Sequence, residues 1–551
     1  MKREHVIHDI YQHLDTIVTR TLRGESSFGH QLTLKGDPYA SGKFALALAM
    51  LIEKSGTTQA EWEDAWHELI AAPCENWGKY YFLKALVKLN ALGRLHTLFS
   101  QEQLNQLENK LRWQEMVEEE TWQLNERFPT NFYGVAFSVA RFRYLLGWES
   151  AYASQEILTR LCEHYRTHSS NGFSDETEGK GRYDRYSVLL IAEICQRHLE
   201  TGLMVPDELK IALRQAATLV LSMLTDNGGG FLWGRSIGAY GDSAFNEILA
   251  VSQQLGLLNA QERQTAETFS LACSKRFLRF WIDRDEQSVN LWFNGRRTDA
   301  YRAEHRLVGE NISLCIQHLY VQQVWAGSVE SDAVRLNTPP LQLAFTSFCN
   351  GDYIRGLFHW HDGERSFALP LINGDKGYHA SSPYCPIPFC TGLFSGVAEE
   401  EEPLWVPVIR DSDNRTLSPL VWFTDCTQRQ TENGWEMIIH NDAMDVIAVD
   451  GAATLVPARD PAIRSRTRYL IEKGCITRED TFFNDSKRTL QVSINGAVFS
   501  DDMTVEFTGY AQTSKTPTSL CSPYGPLQSA FIARQEIGER ECFTVSWRVC
   551  Y

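Results

Sequence analysis

The sequence predicts an α+β multidomain chain: an N-terminal (α/α) toroid of helical hairpins over residues 1–330, then a C-terminal antiparallel β-sandwich over residues 335–551. Three observations carry that expectation. Apolar residues recur at spacings of three and four up to about residue 325, the period falls to two after about residue 335, and helical and strand-like segments are grouped rather than alternating. At 551 residues the chain is also too long for one ordinary core.

The first segment, "MKREHVIHDIYQHLDTIVTRTL", carries charged and polar residues throughout, so it reads as an ordinary helix and lacks the unbroken apolar stretch of an export signal. The segments "FALALAMLIEK", "YYFLKALVKLNAL", "FYGVAFSVARFRYLLG", "IALRQAATLVLSML" and "FNEILAVSQQLGLL" follow with the helical period. Roughly a dozen such runs, with Gly, Pro, Asn or Asp near their ends, suggest stacked antiparallel hairpins. Hairpins of this kind can curl into a closed toroid whose inner helix ends and loops form a cleft. Beyond residue 335, "TLSPLVWFTD", "GWEMIIHND", "TLQVSINGAVF", "MTVEFTGYA" and "CFTVSWRVC" alternate with β-branched and aromatic residues, as antiparallel strands do. The "AEEEEP" run near residue 398 reads as a solvated loop.

Hydrophobic residues make up 43% and charged residues 22%, the balance of a globular protein rather than a disordered or membrane-embedded one. No window approaches the roughly 20 apolar residues that span a bilayer, so no membrane partner and a cytoplasmic location are expected. The net charge of -16 argues against nucleic acid, which needs concentrated Lys and Arg, while a locally basic pocket still admits an anionic substrate. Thirteen cysteines stand singly without CxxC pairs and read as mostly reduced, buried thiols. No His/Cys cluster has zinc-finger spacing, so neither a structural metal nor another cofactor is expected. A solitary metal ion and assembly into a homo-oligomer are left open.

Four stretches of the helical half hold more polar and aromatic residues than packing needs. In "NERFPTNFYGVAF", Asn131 precedes an apolar helical run; it is either an N-cap or an amide reaching into a cleft, with Tyr133 close by. In "GFSDETEGKGRYDRYS", Tyr183 and Tyr186 share a helix face with Arg182 and Arg185 beside them. Guanidinium groups near a phenol favour the phenolate, which suits a base; otherwise these tyrosines are the polar rim of a helix start. In "GGGFLWGRSIGAYGDSAFNE", the glycines allow a tight turn and a close approach, Trp233 offers a sugar platform, Arg235 a carboxylate partner and Tyr240 a further phenol. Asp242 there reads as the N-cap of the next helix. In "NGRRTDAYRAEHRLVGENISL", arginines surround Tyr301 and His305, either as a solvated charge cluster or as part of a site.

These stretches together resemble the heparinase II/III-like and alginate lyase group of polysaccharide lyases. The segment "HWHDGERSF", residues 359–367, is similar to that group's His-aromatic-His-x-Asp-x-x-Ser-Phe segment, with Asp362 one place early. "LPLINGDKGYHASSPY" looks like its short strand, Asp-x-Gly turn and following aromatic. "TNFYG" resembles the Asn-containing segment that contacts the uronate, and "GRYDRYS" the segment that carries the catalytic tyrosine. Asp184 stands where that segment has a histidine, and Phe132 where some relatives carry one after the asparagine.

The resemblance implies β-elimination of a 4-O-linked uronic acid in an oligosaccharide or polysaccharide. Asn131 with a histidine or arginine neutralises the carboxylate, a tyrosinate removes the C5 proton, and a tyrosine protonates the departing O4. Tyr183 is then the leading base or acid and Tyr240 the second. His359 or His361 completes the site from the β half, and Tyr133, Arg182, Arg185, Tyr186, Trp233, Arg235 and His305 bind the sugar. Two other readings compete. A glycoside hydrolase would pair Asp175 or Glu178 with Asp242 or Glu310, and a non-catalytic carbohydrate-binding protein would use some of the 15 tryptophans and 20 tyrosines as stacking platforms.

Overall fold

The structure, a computed structural model, describes residues 2–126, 128–174, 185–231, 236–296, 303–326, 341–347, 355–361, 366–372, 389–390, 405–420, 423–447, 458–522 and 524–551. Among them the helices are α1 Arg3–Leu22, α2 Ala40–Ser55, α3 Ala60–Ala71, α4 Trp77–Ala91, α5 Leu95–Leu98, α6 Gln101–Lys110, α7 Phe132–Leu145, α8 Tyr152–His168, α9 Arg185–Glu200, α10 Asp207–Leu221, α11 Ala239–Gln254, α12 Ala260–Arg276 and α13 Leu307–Val324. None of the described helices is long and apolar enough to cross a membrane.

The helices sort into two rings by burial. Every residue of α2 from Ala40 to Ile52 and of α11 from Ala239 to Ser252 is buried, as inner helices surrounded by others require. Outer helices show one apolar stripe: α10 buries Leu209, Leu213, Ala216, Ala217 and Val220, and α1 buries Val6, Ile10, Leu14, Ile17 and Val18. Their starts are capped where the sequence permits, as at α12, where Asn259 Oδ1 accepts the Glu262 amide and Glu262 Oε2 accepts the Asn259 amide. Inner helices α2 and α4 cross at two glycines. A Cβ at Gly42 would lie 1.9 Å from the Gly78 carbonyl oxygen, so that crossing excludes any side chain.

The ring is closed by the first helix docking on the last. Arg3 is buried and donates to the Trp325 carbonyl at 2.8 Å, to Gln322 Oε1 at 3.2 Å and to Glu267 Oε1 on α12 at 2.9 Å. Three turns along α1, His13 Nε2 meets Asn311 Oδ1 of α13 at 2.9 Å, and the Asn311 amide donates to Ser288 Oγ and the Leu307 carbonyl. Each partner is satisfied inside an apolar surround, where an unmade bond is costly.

Strands follow. Leu341–Ser347, Arg355–His361, Ser366–Ile372 and Phe389–Cys390 form a four-stranded antiparallel sheet, and a six-stranded and a seven-stranded sheet face each other as a sandwich. Phe423, Met437, Ile471 and Trp547 of the six-stranded sheet pack with Trp405 and with Phe358, Trp360 and Phe367 of the four-stranded one. The alternation of buried and half-buried residues along Ile463–Glu472 is the period-two pattern of a sheet with one face in a core. The opposite face of the four-stranded sheet belongs to the ring: Leu357 and Ala368 share a core with Leu189, Ala244, Phe245 and Phe269.

Two sequence expectations change. "TLSPLVWFTD" is not one strand: Thr416–Ser418 lies in the seven-stranded sheet and Phe423–Gln430 in the six-stranded one. Pro419 between them has no N–H for a ladder, so the chain changes sheets there. Cys475 and Cys550 are not free thiols. They sit directly opposite each other on neighbouring strands, and that register brings them together as a disulfide. Cys74, Cys195, Cys273 and Cys315 are buried free thiols.

The closure and the glycine crossing give two stability predictions. Gly42→Ala is expected to destabilise the protein by about 1–3 kcal/mol or more, because backbone rather than a yielding side chain opposes the new methyl; urea midpoints measure it. Burial lowers His13 to about 4 and His318 to about 3, so both stay neutral in the folded ring while the unfolded chain takes up protons below about 6.5. The contribution of these two histidines to stability is therefore full above pH 6.5 and is lost as pH falls toward 4 and then 3. His318→Asn is expected to reduce that slope, and the same change in urea midpoint between pH 7 and 4.5 in parent and variant would contradict this account.

Candidate active site

The inner helices run in one direction and bring their N-terminal ends to one side of the ring, where they line a cavity of ≈ 260 Å³. Tyr39 and Lys43 come from the start of α2, Trp77 and Tyr81 from α4, and Asn131 and Phe132 from α7. Arg185, Tyr186 and Glu193 enter from α9, Tyr240 from α11, and Arg306, Glu310, Ser313 and Gln317 from α13. Helix N-termini present backbone N–H groups and the positive end of the helix dipole, so the convergence favours an anionic ligand.

Asn131 occupies the N-cap position of α7 yet makes no capping bond. Its Oδ1 is shielded from solvent and accepts no hydrogen bond from any described residue. Of the two readings the sequence left open, the cap is thus excluded, and the amide is held in the cavity wall.

Arg185 organises the opposite wall. It is 2% exposed, and its guanidinium carbon lies 4.4 Å from the Tyr186 ring centroid and 5.3 Å from that of Tyr240. The Tyr240 hydroxyl donates to Glu310 Oε2. Glu310 Oε1 in turn lies 3.4 Å from Arg306 Nε, which is 3.8 Å from Asp37 Oδ1. Gly309 makes that packing possible, since a Cβ there would stand 2.3 Å from Asp37 Oδ2 and 3.3 Å from Lys43 Nζ. Burial raises the Tyr39 phenol above its ordinary range, only partly opposed by Arg306, and burial likewise raises Tyr81.

Behind the cavity a column of charge continues along α9. Lys84 Nζ pairs with Glu200 Oε1 at 2.6 Å, and the Arg197 guanidinium stacks on Tyr80 at 4.3 Å. Glu193 and the buried Glu247 of α11 face the same arginines. Burial, and then the Glu193 charge, push Glu247 up to about 8; burial also raises Glu193, against Arg197 and Arg185.

The other expected site residues lie as follows. Tyr183, Arg182, Trp233 and Arg235 fall outside the described residues, as do Asp175, Glu178 and Tyr301. Tyr133 is half-buried beside the cavity wall, with its hydroxyl accepting the Leu124 amide at 3.3 Å. His305 is exposed and packs over Gly36, next to the cavity residue Arg306. His359 is 2% exposed on the strand Arg355–His361, opposite Ala368, on the face that packs against the helical ring; it is not among the residues lining the cavity. His361 is the last residue of that strand, opposite Ser366. Asp242 is not an N-cap: α11 begins at Ala239, and the buried carboxylate accepts the Gly230 amide at 2.7 Å, Trp281 Nε1 at 2.9 Å and Arg276 Nε at 3.0 Å. Tyr39, Lys43, Trp77, Tyr81, Glu193, Ser313 and Gln317 were not anticipated. Lys43 and Glu193 did carry a signal, since each is a lone charge inside an otherwise apolar helical run.

Among solved structures, heparinase III superposes with a TM-score of 0.50 at 10% identity, over 93% of this chain and 76% of that one. The chondroitin AC lyase of Streptomyces coelicolor A3, solved with chondroitin sulphate, superposes with a TM-score of 0.53 at 8% identity, over 99% and 79%. This is a heparinase-like polysaccharide lyase fold. A glycosyl hydrolase of family 88 from Bacteroides vulgatus matches 59% of the chain with a TM-score of 0.38 at 9% identity. No protein-family model matches the sequence, and no curated protein does. In the heparinase-like fold of this chain the cavity stands at the helix N-termini of the toroid, the end to which "TNFYG" and the end of "GRYDRYS" contribute.

The buried acid pair yields a pH prediction. Glu247 has a folded pKa above that of an unfolded carboxyl, near 4.3, so its contribution to stability is full below about 4.3 and lost as pH rises through about 8. Glu247→Gln is expected to flatten the decline of the thermal midpoint between pH 6 and 9. An identical decline in parent and variant would remove Glu247 as its source.

Proposed function

We propose that the chain is a lyase that cleaves a glycan at a 4-O-linked uronic acid by β-elimination. The observation that carries the proposal is the meeting, in one cavity, of the half-buried Asn131, whose shielded Oδ1 accepts no hydrogen bond from a described residue, with two phenols, Tyr186 and Tyr240, that flank a buried guanidinium. The C5 proton of a uronate is acidic only once the adjacent carboxylate is neutralised; the Asn131 amide and Arg185 supply a hydrogen bond and a charge for that. Tyr240 accepts the C5 proton while passing its own proton to Glu310, and Arg185 stabilises the negative charge that develops on the phenol oxygen. Tyr186, or Tyr183 three residues before it in sequence, gives a proton to O4 as the C4–O4 bond breaks. A C4–C5 double bond forms and no water is consumed. His359 and His361 are proposed to complete the site from the β half, with Tyr133, Arg182, Trp233, Arg235 and His305 contacting the flanking sugar.

Two features favour elimination over hydrolysis. Among the described hydrolase candidates, Asp242 is committed to Arg276, Trp281 and the Gly230 amide, and Glu310, which shares the cavity wall with Glu193, is committed to Tyr240 and Arg306. Hydrolysis requires two carboxyl groups placed across a glycosidic bond, one of them free to activate water.

The test is a screen of glucuronan, alginate, pectin-derived and glycosaminoglycan fragments followed at the near-ultraviolet absorbance of the new double bond. Tyr240→Phe and Asn131→Ala are each expected to lower kcat/KM on the substrate so found by about 10²–10³-fold, and Tyr186→Phe by about 10²-fold, with oligosaccharide binding retained. New reducing ends without the chromophore would replace the lyase by a hydrolase. Binding of a uronic-acid oligosaccharide with no turnover by the parent protein would leave a sugar-binding protein.

A further inference from the structure

The connection from α12 to α13 lies at the end of the ring where α13 starts, and that start carries the cavity residues Arg306 and Glu310. Within it, residues 290–296 form a fixed turn. The Asn290 amide donates to the Trp281 carbonyl at 2.7 Å, and Asn290 Oδ1 accepts the Phe293 amide at 3.0 Å. Asn294 and Gly295 follow in the left-handed region, at φ 55° and 72°, a conformation that asparagine and glycine adopt more readily than other residues. The β half clamps the turn from the other side, because a Cβ at Gly295 would stand 1.4 Å from the Cys521 carbonyl oxygen. The residue that this turn presents is Arg296.

Arg296 is half-buried, and its guanidinium carbon lies 4.5 Å from the Phe280 ring centroid. Arg276 lies 4.6 Å from the same centroid, but its Nε donates to Asp242 Oδ2 at 3.0 Å. Arg3, Arg143 and Arg478 likewise meet carboxylate oxygens, at 2.9, 2.7 and 2.8 Å. Arg296 has no such carboxylate among the described residues, and its Nε is shielded from solvent without an acceptor. A guanidinium partly withdrawn from water with no counter-ion is costly, and an oxyanion supplies both the missing charge and the missing acceptor. On the same turn Phe293 stacks on Phe28, with ring centroids 4.8 Å apart and planes at 24°, and both rings are half-buried, an apolar face on which a sugar ring can lie. The turn is joined to the cavity through Phe280, Arg276 and Asp242, the last standing two residues after Tyr240 on α11.

We propose that Arg296 is the anion-binding residue of a subsite beside the cavity, taking a carboxylate or sulfate oxyanion carried by the sugar next to the one that is cleaved. A guanidinium suits either group, since its parallel N–H donors match two oxygens of one anion. Because the turn is fixed from both sides, Arg296 loses little conformational freedom when the anion arrives. The inference rests on the uronate reading of the cavity and adds a second point of charge to the substrate. The glycan then carries an oxyanion on the flanking sugar as well as on the uronate at which it is cut.

The probes are an alginate hexasaccharide, a chondroitin sulfate hexasaccharide and the same hexasaccharide after desulfation, titrated calorimetrically into the full chain carrying Tyr240→Phe, which slows their turnover. Adding Arg296→Gln is expected to weaken the binding of at least one probe by about tenfold or more, the loss of a charge-assisted hydrogen bond. Arg296→Lys, which keeps the charge without the planar fork, is expected to weaken it by a smaller factor and serves as the second variant if Arg296→Gln fails to fold. A loss confined to the sulfated hexasaccharide identifies the anion as a sulfate, and a loss shared by alginate and the desulfated hexasaccharide identifies it as a carboxylate. Affinities within about twofold of the background in both variants overturn the subsite, as does the failure of all three probes to bind. A double bond formed in the ultraviolet screen leaves the lyase proposal standing in either case. A blank screen together with binding that depends on Arg296 overturns the lyase and leaves the anion subsite.

Discussion

The contact on which the rest of the helical half depends is the docking of the first helix on the last. A ring of hairpins has an apolar edge at each end until those ends meet, and Arg3 joins them through the Trp325 carbonyl, Gln322 and Glu267. A buried guanidinium is an expensive joint unless each acceptor is in place, which makes it selective: it is satisfied in one register of α1 against α12 and α13. The His13–Asn311 contact fixes the same register further along α1. Because α13 carries Arg306, Glu310, Ser313 and Gln317 to the cavity, the position of the cavity wall is set by the closure of the ring.

The inner helices carry the consequence. Being surrounded on all sides, they are apolar along most of their length, and the charged residues they do contain all need partners. Lys43, Glu193, Glu247 and Glu310 interrupt such runs on α2, α9, α11 and α13 and are found at or just behind the cavity. Glu310 on α13 takes the Tyr240 hydroxyl of α11, a bond that ties the phenol to a neighbouring inner helix. Gly42, Gly78 and Gly309 serve the same geometry by letting the helix backbones approach until these short contacts close.

Much of the architecture was legible because periodicity reports burial. The change from a three-to-four spacing to a spacing of two located the passage from ring to sheets, and the quoted helical runs lie in α2, α4, α7, α10 and α11. The strands Ile463–Glu472 and Cys475–Asn484 were harder to see, since polar residues stand on their buried face, Ser465 and Thr467 on the first and the paired Arg478 and Asp480 on the second, and these mask the alternation. The split at Pro419 and the Cys475–Cys550 pairing depend on sheet order and register, which a single sequence does not display. In the cavity, Asn131, Arg185, Tyr186 and Tyr240 were expected from polar clusters at helix starts, and the structure brings these together. Tyr39 and Trp77 had no comparable signal, because an aromatic residue at a helix end looks the same whether it faces a cavity or a core.

The two halves meet through the four-stranded sheet, and the alternation of its side chains divides the work. On Arg355–His361, Phe358 and Trp360 point into the sandwich, whereas Leu357 and His359 point to the ring. A strand in this position has no solvent face, so a polar side chain on the ring side must be matched by the helices or be costly. His359 is such a residue, a buried imidazole among Leu357, Ala368 and helical apolar groups. Tyr524 packs against the same helical core at the junction, and its phenol is raised by burial and by the Asp242 carboxylate. Asp242 anchors the glycine turn at Gly230, three residues before Trp233 in the stretch that leads to Tyr240. The β half thus packs against the helix that carries Tyr240, besides offering the histidines His359 and His361 proposed for the site.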